Sequence, residues 1–246
     1  MPWVRSWRAG LVSFDDVVDH VTPDDDDEEE HLCADLPDQW RAVSLREGLS
    51  VLARTPPDQI RLVLPAPGDP RGLPESGRFT GAALLAGECI IAGNLGLVPE
   101  VTTHTSGSGV QWNTVTWRAY PVEQPIVEQY LSTSEAEAEL NEALAVATDQ
   151  LASLDVARWR PEIGTALSAL RRSHDGLLLP PGYDHRSRRM YARAGLLDGV
   201  LSIAYADAPG AAINAYEAER REAALRPLAA ACRRALMAAC NAPLSV

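Results

Sequence analysis

The sequence predicts an α+β protein: an N-terminal mixed or antiparallel sheet with a long β-hairpin and short helices, then a C-terminal bundle of about four helices. Three observations carry this. Up to Pro125 the clearest apolar runs are short, β-branched and bounded by Gly or Pro; beyond it apolar residues recur at steps of three and four. Two long β-rich segments, Leu95–Thr105 and Val110–Val122, flank Ser106-Gly-Ser-Gly, which marks a hairpin. Finally, 246 residues of which 46% are hydrophobic are enough to bury a core.

Element by element, Ser13-Phe-Asp-Asp has the form of a capping box and opens a short helix carrying Phe14, Val17, Val18 and Val21. The acidic run Asp24–Glu30 repels itself and reads as a solvated linker. A short helix is expected over Ser44–Ala53, where Leu45, Leu49 and Leu52 fall at helical spacing, and a strand over Ile60–Leu64, ended by Pro65 and Pro67. Thr80–Gly87 follows as a helix and Cys89–Ala92 as a strand, before the hairpin. In the second half, Ser134-Glu-Ala-Glu is expected to cap a helix bearing Leu140, Leu144, Ala147, Leu151 and Leu154. A second helix is expected from Pro161 through Leu170, and a third over His185–Ala206 behind Asp184. A fourth runs from beyond Gly210 towards Cys240, kinked or split at Pro227. The expected organisation is an arm, short helix and acidic linker at 1–31, an α+β domain at 32–125 and a helical bundle at 126–246.

Composition excludes several chemistries. The net charge of −12 disfavours nonspecific binding to nucleic acid or anionic membrane. All 22 basic residues are arginine, so neither a Schiff-base lysine nor a P-loop lysine exists; a high-GC bacterial coding sequence accounts for such a bias, and the alternative is selection against lysine, for instance to escape lysine-directed tagging. No apolar stretch is long enough to span a bilayer, and the first residues lack the apolar core of a secretory signal. Four scattered cysteines without metal-type spacing fit a reducing cytoplasm. No cofactor motif and no metal site is read from the chain.

Charge is also unevenly spread. Residues 1–131 hold nine arginines against twenty acids, whereas 132–246 hold thirteen against fourteen. Arg186, Arg188 and Arg189 sit in the first turn of the His185 helix, with Arg193 one turn later. Cations there oppose the helix dipole by a few tenths of a kcal/mol each. Their guanidinium forks suit an anion, so they are the candidate site for an anionic small molecule or an acidic protein segment. The alternative is that they pair with acids of the chain itself. A second candidate is the loop Pro65–Pro74, presenting Asp69 and Arg71 either to a polar ligand or to each other. Trp3 and Trp7, four apart and interleaved with Arg5 and Arg8, offer a docking face for a partner unless the arm folds back.

The adjacent His174-Asp175 resembles the His-Asp pair of the metal-dependent HD phosphohydrolases. That family also needs a further helical His upstream and an Asp downstream; here the nearest upstream His is His104, at the hairpin tip. His174 and Asp184 are equally explained as helix-end residues. No nucleophile elbow and no phosphate-cradling glycine motif is present. The expected function is therefore a non-catalytic binding or regulatory protein with an arginine-lined site. The alternative is an enzyme acting on a phosphorylated or carboxylated small molecule in a cleft between the halves, through Asp69, Arg71 and the His174/His185 region.

Overall fold

A computed structural model describes residues 1–21, 29–122, 131–153, 170, 178–206 and 215–245. The chain divides into two units: Met1–Tyr130 with Pro180–Gly182 and Pro243–Val246, and Leu131–Leu179 with Tyr183–Ala242. The α+β class is observed, with the sheet in the N-terminal part and the long helices in the C-terminal part.

The first unit is built on a six-stranded mixed sheet in the order β2-β1-β6-β5-β4-β3. Its strands are β1 (Glu29–Ala34), β2 (Val43–Ser44), β3 (Ile60–Val63), β4 (Cys89–Ala92), β5 (Leu95–Thr105) and β6 (Gln111–Pro121). The expected hairpin is β5–β6, in continuous register from Leu95↔Pro121 to Thr105↔Gln111. β1 joins it in parallel, from Glu29↔Asn113 to Ala34↔Arg118; all other pairings are antiparallel.

Strand alternation sorts side chains onto two faces. On one face, Cys33, Ile60, Ala92, Leu95, Leu97 and Ala119 meet three helices: α1 (Pro2–Arg8), α2 (Phe14–Val21) and α3 (Leu45–Ser50). On the other lies α4 (Arg78–Ala86), whose buried Phe79 crosses Gly96 of β5. α4 ends where Gly87 takes φ 76°, the left-handed conformation that stops a helix. The Ser13 box is present: the Asp16 amide donates to Ser13 Oγ at 3.0 Å and the Ser13 amide returns a bond to the Asp16 carboxylate at 2.8 Å. Accepting from the Ser13 hydroxyl and amide holds the Asp16 carboxyl below its ordinary value.

Three expectations are corrected. The acidic run is not linker to its end, because Glu29 and Glu30 already belong to β1; the cross-strand partner Asn113–Arg118 overrides their poor β propensity. The first residues are not a free arm: Val4 and Val17, 3% and 0% exposed, are core. The capping box of the first bundle helix lies two residues earlier than expected. Ser132 Oγ accepts from the Glu135 amide at 3.3 Å, and the Ser132 amide donates to the Glu135 carboxylate at 2.9 Å.

The second unit contains α5 (Thr133–Ser153), α6 (His185–Ala206) and α7 (Ala215–Asn241). Leu140, Met190, Ala194, Leu201, Leu225, Leu228 and Cys232 form their shared core. Pro227 neither ends nor splits α7, which continues through it. The helix expected over Pro161–Leu170 lies, apart from Leu170, outside the described residues.

None of the four cysteines is in a disulfide, and each is at most 2% exposed. Burial pushes the Cys33 thiol up to about 11, and those of Cys89 and Cys232 up to about 12. Since the thiolate is the nucleophile, the native protein is expected to resist an aromatic disulfide reagent and to release four thiols per chain once denatured. Rapid native labelling contradicts this burial.

Candidate functional site

The arginines of α6 separate into two kinds. Asp184 caps the helix, accepting the Ser187 amide at 2.7 Å, and that bond holds its carboxyl below the ordinary value. Arg188 turns back along the chain, donating to the carbonyl of Tyr183 at 3.0 Å and to that of Leu179. It satisfies backbone acceptors ahead of the helix and is a structural residue rather than part of an exposed anion site. Arg186, Arg189 and Arg193, at helical positions i, i+3 and i+7, share the outer face and are exposed.

Two members of this stripe reach α5. Arg186 Nε lies 3.4 Å from Glu137 Oε2, with both side chains well solvated, so the pair contributes at most about 1 kcal/mol. Arg193 Nη1 donates to Asn141 Oδ1 at 2.7 Å. Asn141 is neutral and leaves the guanidinium charge uncompensated. Arg189 makes no hydrogen bond or ion pair with a described residue. Among the described residues, these three cations meet two carboxylates, Glu137 and the helix-capping Asp184, both through Arg186.

The 65–74 loop takes the self-paired form. Arg71 Nε and Nη2 donate to Asp69 Oδ1 and Oδ2 at 2.6 and 2.9 Å, which engages both carboxylate oxygens. A bridge between Ala66 and Asp69 closes the turn. His174 and Asp175 lie outside the described residues. Trp3 and Trp7 are turned onto their own unit: Trp3 stacks on His20 with centroids 3.5 Å apart, and Trp7 tilts against Phe14 at 4.8 Å. Of the two readings of Trp3 and Trp7, the arm folded back on its own unit is the one found, because two indoles gain more from covering α2 than from solvent.

Sequence reading missed one cluster. Arg118 of β6 makes a two-pronged contact with Glu100, both bonds at 2.9 Å, and a 2.6 Å bond to Asp35 Oδ2. These acceptors raise the Arg118 pKa further above its already high value. Asp35 is 83 residues away in sequence, and only the parallel β1–β6 register brings it close. Asp35 also has φ 58°, uncommon for a residue other than glycine. Among the described residues, no group of three or more His, Cys, Asp or Glu is placed to hold a metal ion, and no helix is long and apolar enough to cross a membrane.

A sheet unit followed by a helical unit, with an arginine stripe on the latter, defines a two-part α+β protein. The chain belongs to the Rv1486c-like protein family: residues 1–130 match its N-terminal domain and 134–237 its C-terminal domain. It is similar to the uncharacterized protein Rv1486c of Mycobacterium tuberculosis, with 30% identity over 98% of this chain and 94% of the relative. It is likewise similar to the uncharacterized protein ML1804 of Mycobacterium leprae, with 27% identity over 98% of this chain and 95% of that relative. No solved structure matches.

Proposed function

We propose that this is a non-catalytic binding protein that presents the outer face of α6 to an anionic ligand or an acidic protein segment. The observation that supports the reading is the stripe Arg186, Arg189 and Arg193, which is exposed; among the described residues only Arg186 faces carboxylates, those of Glu137 and Asp184. Arginine forks there can close on carboxylates or phosphates two bonds at a time. The face is solvent-exposed, so attraction is salt-dependent, and specificity comes from the spacing of the forks rather than from burial.

Calorimetric titration with a hexaglutamate peptide and with inorganic pyrophosphate tests this at low and at raised salt. Replacing Arg186, Arg189 and Arg193 together by Gln is expected to weaken binding by about tenfold or more, since hydrogen bonds to charged groups are worth about 1.5–3 kcal/mol each. The change should leave folding intact, because Arg188, which holds the backbone, is untouched. Equal affinity of the parent and triple variant for both probes overturns the reading.

A further inference from the structure

The hairpin strand β5 outruns the strand beside it. β4 pairs with β5 only from Ala92↔Leu95 to Ile90↔Leu97, whereas β6 follows β5 as far as Thr105↔Gln111. The β4 ladder stops where Pro99, which has no N–H, takes the next outward position. Bonding alternates along an antiparallel strand, and its phase here is fixed at both ends: the Ser106 amide donates to the Val110 carbonyl and the Val122 amide to that of Asn94. Even-numbered residues of β5 therefore bond to β6. Val101, Thr103 and Thr105 turn their N–H and C=O groups to the opposite edge, where none has a hydrogen-bond partner among the described residues.

This edge is both ordered and unprotected. Thr103 Oγ1 donates to Asn113 Oδ1 at 2.8 Å, His104 stacks on Trp112 with centroids 5.2 Å apart, and His104 Nε2 lies 3.1 Å from Thr114 Oγ1, all of which hold the strand against β6. Val101, Thr102, Thr103 and Thr105 are exposed, Val101 at 65%. Sheet edges are normally blunted by charged side chains, proline or a bulge. From Val101 to Thr105 there is no charged residue and no proline, and the register with β6 is continuous. No carboxylate or guanidinium occurs from Val101 to Trp117, the longest such stretch in a chain of which 23% is charged. The adjoining Glu100 is engaged on both oxygens by Arg118. A chain of net charge −12 repels its own copy, and an uncharged edge is where that repulsion is least.

We propose that two copies of the chain pair through this edge, β5 against β5 and antiparallel, about a two-fold axis at Thr103. The edge is its own complement in that arrangement. Thr103 meets the second copy's Thr103, and Val101 meets the second copy's Thr105, each pair exchanging two backbone hydrogen bonds. Thr102 falls opposite the second copy's His104, on the face that carries Trp112. Pairing about a two-fold axis uses each edge once, so the assembly closes at a dimer. The arginine stripe of α6 takes no part in it.

Sedimentation equilibrium of the full chain across the micromolar range is expected to show a reversible dimer. Thr103→Pro removes an outward N–H and none that β6 uses, so the chain should stay folded by circular dichroism and become monomeric. Thr103→Lys leaves the backbone unchanged and sets two ammonium groups facing each other at the axis; it should raise the dissociation constant by about tenfold or more. Thr103→Cys brings two thiols onto Cα atoms about 5.5 Å apart, within disulfide range, while the four native cysteines are buried. Mild oxidation should give a covalent dimer from Thr103→Cys and none from Gln111→Cys, which is exposed on the other strand of the hairpin. The proposal is overturned if the parent sediments as a monomer throughout, if the folded proline and lysine variants dimerise as the parent does, or if the two cysteine variants cross-link equally.

Discussion

Leu140→Ala is expected to remove about 3 kcal/mol of stability, one of the two largest single-residue losses derived from the fold. Leu140 is 0% exposed, and it lies among Ala136, Leu225, Leu228 and Cys232 in the core of the helical unit. Many of its neighbours are alanines, short side chains fixed on helix backbones, which cannot swing in to fill the space. Buried Leu→Ala changes cost about 2–5 kcal/mol, and the upper part of that range belongs to sites that fail to collapse. Val146 of the same helix is 44% exposed and supplies the control: Val146→Ala should stay within about 0.5 kcal/mol. Urea unfolding followed by far-ultraviolet circular dichroism measures both. Equal losses from the two changes, at unchanged dependence on denaturant, contradict the orientation of α5.

That orientation was legible from the sequence because it rests on local periodicity. Leu140, Leu144, Ala147 and Leu151 alternate at steps of four and three, and all four lie in or against the core. The same holds for the β5–β6 hairpin, where β-branched runs and a Gly-Ser turn are local signals. What failed was what depends on distant partners. β1 was missed because Glu29-Glu30-His31 has no strand pattern of its own; it becomes a strand by pairing with Asn113, Thr114 and Val115. For the arm the sequence left two readings open, docking on a partner or folding back, for the same reason. Nothing local to Trp3 or Trp7 announces that α2 will lie beneath them.

The candidate sites show a similar division. The arginine enrichment on α6 was visible as composition, but composition does not separate Arg188, spent on two carbonyls, from its solvent-facing neighbours. The difference is angular: on a helix, position 188 points away from the stripe that 186, 189 and 193 share. For Asp69 and Arg71 the spacing of two already allowed the closed turn that is found. The Asp35–Arg118–Glu100 cluster was not legible at all. Its residues lie far apart in sequence, and each taken singly is an ordinary loop or strand residue.

The second large effect concerns the other face of the sheet. A methyl group added at Gly96 would sit inside the ring of Phe79, 2.6 Å from Cδ2 and 2.8 Å from Cζ, and closer still to Cε2. The ring has nowhere to go, since Phe79 is 4% exposed and leans on Tyr120. Gly96→Ala is therefore expected to destabilise the protein by about 2–3 kcal/mol, the upper part of the range for overpacking, even though alanine is no worse than glycine in an ordinary strand. Phe79→Leu alone is also destabilising, because it opens a void under α4. The two changes together should cost less than the sum of the two alone by at least about 1 kcal/mol, as the new methyl enters the room the ring has left. Denaturant unfolding of the parent, both single variants and the double variant closes the cycle. Simple additivity means that α4 does not cross β5 at Gly96.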